Sequence, residues 1–407
     1  LADLTIASTN AAWEATAWTA GQESWNANPT EPINLARPTA GPFHPVALEV
    51  SMGSAAVVAH CVIIGGVVVR GPTTSPLLEF LTIKHATTGL LISNHASPTV
   101  RDVRFNHVET GIEATRWAMP VLTRVHVVSA KQIGVHFTTE SSGALSMSAV
   151  VASGTCNLAV TSGASPVVSD SLFRLAAQCG ALFDEGGKGT MRRCHIVESH
   201  YAGLEIRGSE TDPDIGHSSV HGGAAVGLYV HSNGAGTLTD VTIMDNRNGA
   251  AEFSEGGRSR LLRCHLGGRS ISADAVLEVH GVYSSPEFVD CIIDATAGKE
   301  SVAVKVSDAA RPVLRGVDVQ GADIGVLALG AVTLRLVGCT VHDNSVGVQL
   351  VGRGGSSVLD GSSIHGDRRS IVGVDGGYAR VRNCDLRALG LAGLGTEFAG
   401  GAGITVE

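Results

Sequence analysis

Aromatic residues make up only 4% of this 407-residue chain, and lysine is nearly absent, with five in all. So few rings exclude a core built around large aromatic side chains and leave Val, Ile, Leu and Ala to fill a narrow one. No apolar run approaches the roughly 18 residues that a membrane-crossing helix needs; Val67 to Val69 is only a local cluster. No block of Lys and Arg occurs and the net charge is −9, so neither nucleic acid nor a membrane surface is an expected partner. None of the twelve asparagines opens an Asn-x-Ser/Thr acceptor with a non-proline centre, which leans away from a glycosylated extracellular protein. The amino terminus lacks a basic stretch leading into an apolar segment. It begins with Leu1 and the strand-like Leu4-Thr5-Ile6, which reads as a fragment of a larger protein.

What the chain has instead is glycine, 51 residues against 13 prolines, and a period of about 22 to 24 residues. A glycine followed by apolar residues recurs at Gly89-Leu90-Leu91-Ile92, Gly134-Val135-His136-Phe137, Gly203-Leu204-Glu205-Ile206, Gly227-Leu228-Tyr229-Val230 and Gly347-Val348-Gln349-Leu350. A second strand-like element has its anchor at Ile63, Ile83, Phe105, Val127, Ala149, Phe173, Ile196, Val220, Ile243, Leu266, Ile293, Val319, Val341, Ile364 and Leu386. No unit shows a sustained 3.6-residue apolar period, which excludes the helical repeats, and the spacing is too short for α/β crossovers. The pattern predicts an all-β solenoid of about 15 coils, three short parallel strands per coil, roughly 70 Å long at about 4.8 Å per rung.

One domain is expected over 1–407, with regular coils over 46–407. Residues 9–45, carrying Trp13, Trp18 and Trp25 together with Pro29, Pro32, Pro38 and Pro42, read as a long excursion that caps the open end of the stack or contacts a ligand. Residues 208–216 and 267–285 are smaller departures.

Six of the eight cysteines, Cys61, Cys194, Cys264, Cys291, Cys339 and Cys384, stand two residues before an anchor. Residues two apart on a strand share a face, so these are expected to be core thiols acting as small hydrophobes. Elsewhere the column holds Met147, Ser171, Ser218 and Ser362. Reduced thiols favour a cytosolic setting. The position three before each anchor is expected to face outward; it reads Asp102, Arg124, Ser146, Asp170, Arg193, His217, Asp240, Arg263, Asp290, then glycines and Asn383. Its alternating charges, Asp102–Arg124, Asp170–Arg193 and Asp240–Arg263–Asp290, read as a device that fixes stacking register. Asn106, Asn246 and Asn344 read as turn residues.

The runs Asn233-Gly234-Ala235-Gly236-Thr237-Leu238-Thr239-Asp240-Val241-Thr242-Ile243 and Val337-Gly338-Cys339-Thr340-Val341-His342-Asp343-Asn344 resemble the carbohydrate-binding and sugar-hydrolase repeat. That repeat belongs to right-handed, single-stranded parallel β-helices of the pectate-lyase-like superfold, and it also occurs in F-box-linked and cytoskeletal or ciliary β-helix proteins. The resemblance implies the fold over about nine tenths of the chain, and it implies either an enzyme or a scaffold.

The residues themselves supply little chemistry. Glycoside hydrolysis needs two carboxylates flanking one bond, and Asp274, Glu278, Asp290, Asp294 and Asp318 lie near the irregular coils. The compact Asp-Asp pair of polygalacturonase-like members is missing, as are the clustered carboxylates and basic residues of a calcium-assisted lyase. His126, His195, His265, His342 and His365 are dispersed, without zinc-ligand spacing. Gly186-Gly187-Lys188-Gly189-Thr190 lacks the glycine spacing of a phosphate loop, and no nucleophile elbow occurs. No catalytic, cofactor or metal site is therefore assigned. The balance favours a non-enzymatic scaffold with a protein partner in a cytoplasmic setting, cytoskeletal or ciliary association included; the alternative is a carbohydrate-binding or polysaccharide-degrading β-helix.

Overall fold

The computed structural model describes residues 46–268, 275–295, 302–388 and 396–406. The excursion expected over 9–45 lies outside them. The described chain is a right-handed parallel β-helix of roughly 15 turns. Each turn contributes one short strand to each of three ladders. In the first, Val167–Ser169 lies between Ala144–Ser146 and Thr190–Arg192. In the second, Leu172–Arg174 lies between Ala149–Val151 and His195–Val197. In the third, Cys179–Phe183 lies between Leu158–Val160 and Ala202–Arg207. Every described pairing of this kind is parallel because the chain travels the same way round at each level, so like positions stack on like. No helix among the described residues is long and apolar enough to cross a membrane.

The interior is one continuous apolar column. Leu145, Val168, Met191, Ile215, Leu238 and Leu261 fill it from the first ladder, and Phe105, Val127, Val150, Phe173 and Ile196 from the second, all essentially without solvent contact. The third ladder contributes two inward residues per strand, and bulk is balanced between them. Ala181 precedes Phe183, and Ala251 precedes Phe253, so a small residue makes room for each ring.

The glycines that open the third-ladder strands are set by close approach. A Cβ on Gly203 would lie 2.1 Å from a Val220 methyl carbon and 2.7 Å from the Gly227 carbonyl oxygen. Their recurrence in the sequence is thus a packing requirement at the corner entering the third ladder.

The corner between the first two ladders has a different requirement. His60, Phe80, Asp102, Arg124, Met147, Asp170, Arg193, His217, Asp240, Arg263, Asp290, Gly316, Gly338, Gly361 and Asn383 all have φ between 47° and 62°. A single left-handed residue turns the chain at every level. The column expected to be an outward strand position is therefore a column of corners, and the late glycines belong to it because they reach this conformation without Cβ strain.

One coil is shifted from the sequence expectation. Val150, not Ala149, pairs with Val127 and Phe173 and is fully buried. Met147 then becomes the exposed corner, and Ser148 takes the inward slot expected of methionine. The slot favours serine because Ser148 Oγ accepts the Val125 N–H at 3.0 Å and donates to the Ser146 carbonyl at 2.8 Å. Ser171, Ser218 and Ser362 make the same pair of bonds. The cysteines of this column imitate them. Cys194, Cys264, Cys291 and Cys339 donate to the carbonyl two residues back at 3.4–3.6 Å, and the Cys291 thiol also accepts the Cys264 N–H. All eight cysteines are free. The column thus holds corner-capping thiols as well as core filler.

The expected register pairs form. Arg124 makes two bonds to Asp102 at 2.7 Å, Arg193 reaches Asp170 at 2.6 and 2.9 Å, and Arg263 reaches Asp240 at 2.8 Å with both nitrogens. Asp290 acts on Arg263 only through its charge. Exposed bidentate pairs of this kind contribute about 0.2–1 kcal/mol each and favour one alignment of neighbouring coils. Asn246 and Asn344 are buried, and their amides bond to backbone on adjacent coils; Asn246 lies between strands, whereas Asn106 and Asn344 sit within them.

At Gly338 nothing would contact an added Cβ, so conformation alone decides the cost of a side chain there. Gly338→Ala is expected to lower unfolding free energy by about 1 kcal/mol and Gly338→Asn by less. Urea titration of the two variants checks the order.

Candidate active site on the third ladder

Outward residues of the third ladder are unremarkable over most of its length, but over six successive rungs they form a polar and aromatic grid. Cys179–Phe183, Ala202–Arg207, Val226–His231, Ala251–Phe253, Leu277–Val279 and Val302–Val306 stack in register. One column therefore reads Leu182, Glu205, Tyr229, Glu252, Glu278, Lys305. Two residues further along each strand stand Asp184, Arg207, His231, Ser254 and His280. Period-two alternation puts both columns on the face away from the core. Beneath Glu252 the strand carries a bulge, where the N–H groups of Ala250 and Ala251 both donate to the Val276 carbonyl, at 2.8 and 3.2 Å. Bulges of this kind re-aim the side chains beside them.

Glu205 is the buried centre of the grid, only 3% exposed. It accepts hydrogen bonds from Arg207 Nη1 at 3.0 Å and from the Cys179 thiol at 2.6 Å, and His231 Nε2 lies 3.1 Å away. Burial alone would raise its pKa; the bonds to His231 and Cys179 and the charge of Arg207 outweigh it and hold the carboxyl below its ordinary value. The Cys179 thiol is pushed up by its hydrogen bond with Cys156 and by burial, so it stays a donor. Cys156, Cys179, Ala202 and Val226 form a small apolar cluster outside the main core, against which Tyr229 packs. Tyr229 stacks on His231 at 4.2 Å, meets Tyr201 edge-on at 6.2 Å and shares a 3.3 Å hydrogen bond with Ser254.

The remaining carboxylates are more open. Glu252 lies 3.1 Å from His280 Nε2 and Glu278 lies 2.9 Å from Lys305 Nζ, the two glutamates being about one third exposed. Glu255 is bonded to Ser232 Oγ at 2.9 Å, which in turn lies 2.9 Å from His231 Nδ1. The bond to Glu252 raises the pKa of His280. Chemically, the strip offers carboxylates at successive levels, imidazoles that can exchange protons with them, and tyrosine rings for an apolar sugar face.

The sequence candidates scatter over the molecule. Of the five acidic residues near the irregular coils, Glu278 alone enters this grid. Asp290 occupies a corner, while Asp294 and Asp318 stand on second-ladder strands, Asp318 beside His342 at 2.9 Å. Asp274 lies outside the described residues. His126, His195 and His265 are in the second ladder, and no group of three or more metal-ligating side chains converges among the described residues. Gly189 and Thr190 enter a strand rather than a helix. Sequence reading missed Glu205, Tyr229, His231, Glu252 and His280.

With this geometry in place, the class is defined: a right-handed parallel β-helix with a chemically dense lateral strip. The model described as "Right handed beta helix region" matches residues 121–271 and 157–316, a span that contains nearly the whole grid. No curated protein matches the chain. Among solved structures, the Azotobacter vinelandii mannuronan C-5 epimerase AlgE4 A-module is 12% identical, with 66% of this chain and 83% of that one covered and a TM-score of 0.43. The Agl-KA catalytic domain is 12% identical, covering 84% of this chain and 62% of that one, with a TM-score of 0.35. The AlgE6 A-module from the same Azotobacter species is 12% identical, with 88% of each chain covered and a TM-score of 0.32. At these values the likeness is one of fold. The sequence reading that weighed against an enzyme is corrected to this extent: the structures sharing the fold are named for epimerase modules and a catalytic domain, so the fold lends that reading no support.

Two measurements probe the grid. Glu205→Ala leaves Cys179 and His231 without their acceptor and Arg207 with Asp184 alone, and is expected to cost about 3 kcal/mol in denaturant unfolding. His280, whose ordinary pKa is 6.5, should titrate above that value by NMR, and Glu252→Gln should bring it down. By linkage, the Glu252–His280 pair stabilises the fold fully below pH 6.5 and loses that contribution as pH rises through the raised folded value.

Proposed function

We propose that the third-ladder strip binds a carbohydrate chain and hydrolyses glycosidic bonds within it. The observation that carries this reading is the pairing of Glu252 and Glu278 on adjacent rungs, both reachable by solvent, beside the Tyr201–Tyr229 pair. Neighbouring parallel strands are about 4.8 Å apart, near the roughly 5 Å separation at which one carboxylate attacks the anomeric carbon while the other serves the leaving oxygen. Lys305 balances a carboxylate charge at Glu278, which suits the nucleophile. Protonated His280 can pass its proton through Glu252 to the leaving oxygen, and the pair can take one back when water is activated. Tyr229, fixed by His231 and Ser254, presents a flat apolar surface for a sugar ring.

Reducing-end release from a panel of polysaccharides tests the reading. Glu252→Gln and Glu278→Gln are each expected to cut turnover roughly 100-fold or more while glycan retention on an array persists. Retention of no glycan, or full turnover in the double variant, would remove the proposal and return this surface to the protein-binding scaffold reading.

A further inference from the structure

The charge arithmetic of the strip bears on which sugars it takes, an inference that rests on the carbohydrate reading above. Among the described residues, Asp184, Glu205, Glu252, Glu255 and Glu278 stand with two permanently charged cations, Arg207 and Lys305. Both cations are consumed internally. Arg207 is held by Asp184 at 2.7 Å and by Glu205 at 3.0 Å, and Lys305 is held by Glu278 at 2.9 Å. A uronic acid entering here would meet carboxylates whose described cationic neighbours are already paired, and like charges at close range repel.

The same surface is well made for a cation. The Glu255 side chain is 69% exposed; it accepts a hydrogen bond from the Ser232 hydroxyl and lies 4.0 Å from His231 Nδ1. Tyr201 is half exposed and meets Tyr229 edge-on, their planes at 78°, and the charge of Glu205 acts on both phenols. Aromatic faces backed by carboxylates attract ammonium groups through both the ring quadrupole and direct charge.

We infer that the strip selects a sugar polymer bearing free ammonium groups, an unsubstituted amino sugar, over neutral and acidic glycans. Calorimetric titration with four oligosaccharide series of matched length tests this: glucosamine, N-acetylglucosamine, glucose and galacturonate. Glucosamine oligomers are expected to bind about tenfold more tightly than their N-acetylated counterparts, with the gap shrinking as salt is raised. Glu255→Gln should narrow that gap, whereas Glu140→Gln, an exposed turn glutamate several coils away, should not. Equal binding of the two hexosamine series, or preference for galacturonate, overturns the inference and leaves the carbohydrate reading standing. Binding of none of the four overturns both.

Discussion

Everything in this molecule depends on each coil returning the chain to the position it held one level below. A parallel ladder bonds every strand to both neighbours, so one residue of drift in a single coil would turn core residues outward in the next. Two kinds of device prevent the drift. At the corner between the first and second ladders, one left-handed residue turns the chain at every level, from His60 to Asn383. Beside it, serine and cysteine side chains cap the corner with paired bonds, as Ser148 and Ser218 do. Ion pairs such as Arg193–Asp170 then add an alignment term on the outside.

The left-handed conformation costs a non-glycine residue about 1–2 kcal/mol. A dozen residues with side chains nevertheless occupy this one corner column, including Phe80, Arg124 and Met147. Stacking on both sides must over-determine the geometry for that to persist. The corners are thus held by the ladders as much as they hold them, which makes the fold cooperative between neighbouring coils and only weakly dependent on coils further away.

How much was legible in the sequence follows from the same geometry. Period and parity are properties of spacing, so the solenoid, the core anchors and the Asp–Arg register pairs could be read directly. Conformation at a corner cannot be read that way: Asp170 and Arg193 look like outward strand residues until φ is known, and only Gly316, Gly338 and Gly361 hint otherwise. The third-ladder grid was hidden for a related reason. Gly203-Leu204-Glu205 and Gly227-Leu228-Tyr229 keep Glu205 and Tyr229 two residues after their glycines. The bulge after Gly249 displaces Glu252 by one, and the longer coil before Leu277 displaces Glu278 again. A column of acidic and aromatic residues was present but did not line up on the page. Ala149 misled for the same cause, one extra residue in a coil.

More residues separate His265–Gly267 from Leu277–Val279 than separate the corresponding strands one coil below, yet His265–Gly267 still pairs with Ile292–Asp294 and Leu277–Val279 with Ala251–Phe253. Extra length in one coil is therefore absorbed between ladders and is not transmitted along the axis. Such a frame separates what a coil carries from where its neighbours sit. Length can be gained or lost at one level while the side chains above and below keep their spacing, so one stretch of the surface can diverge without the stacked columns having to be rebuilt.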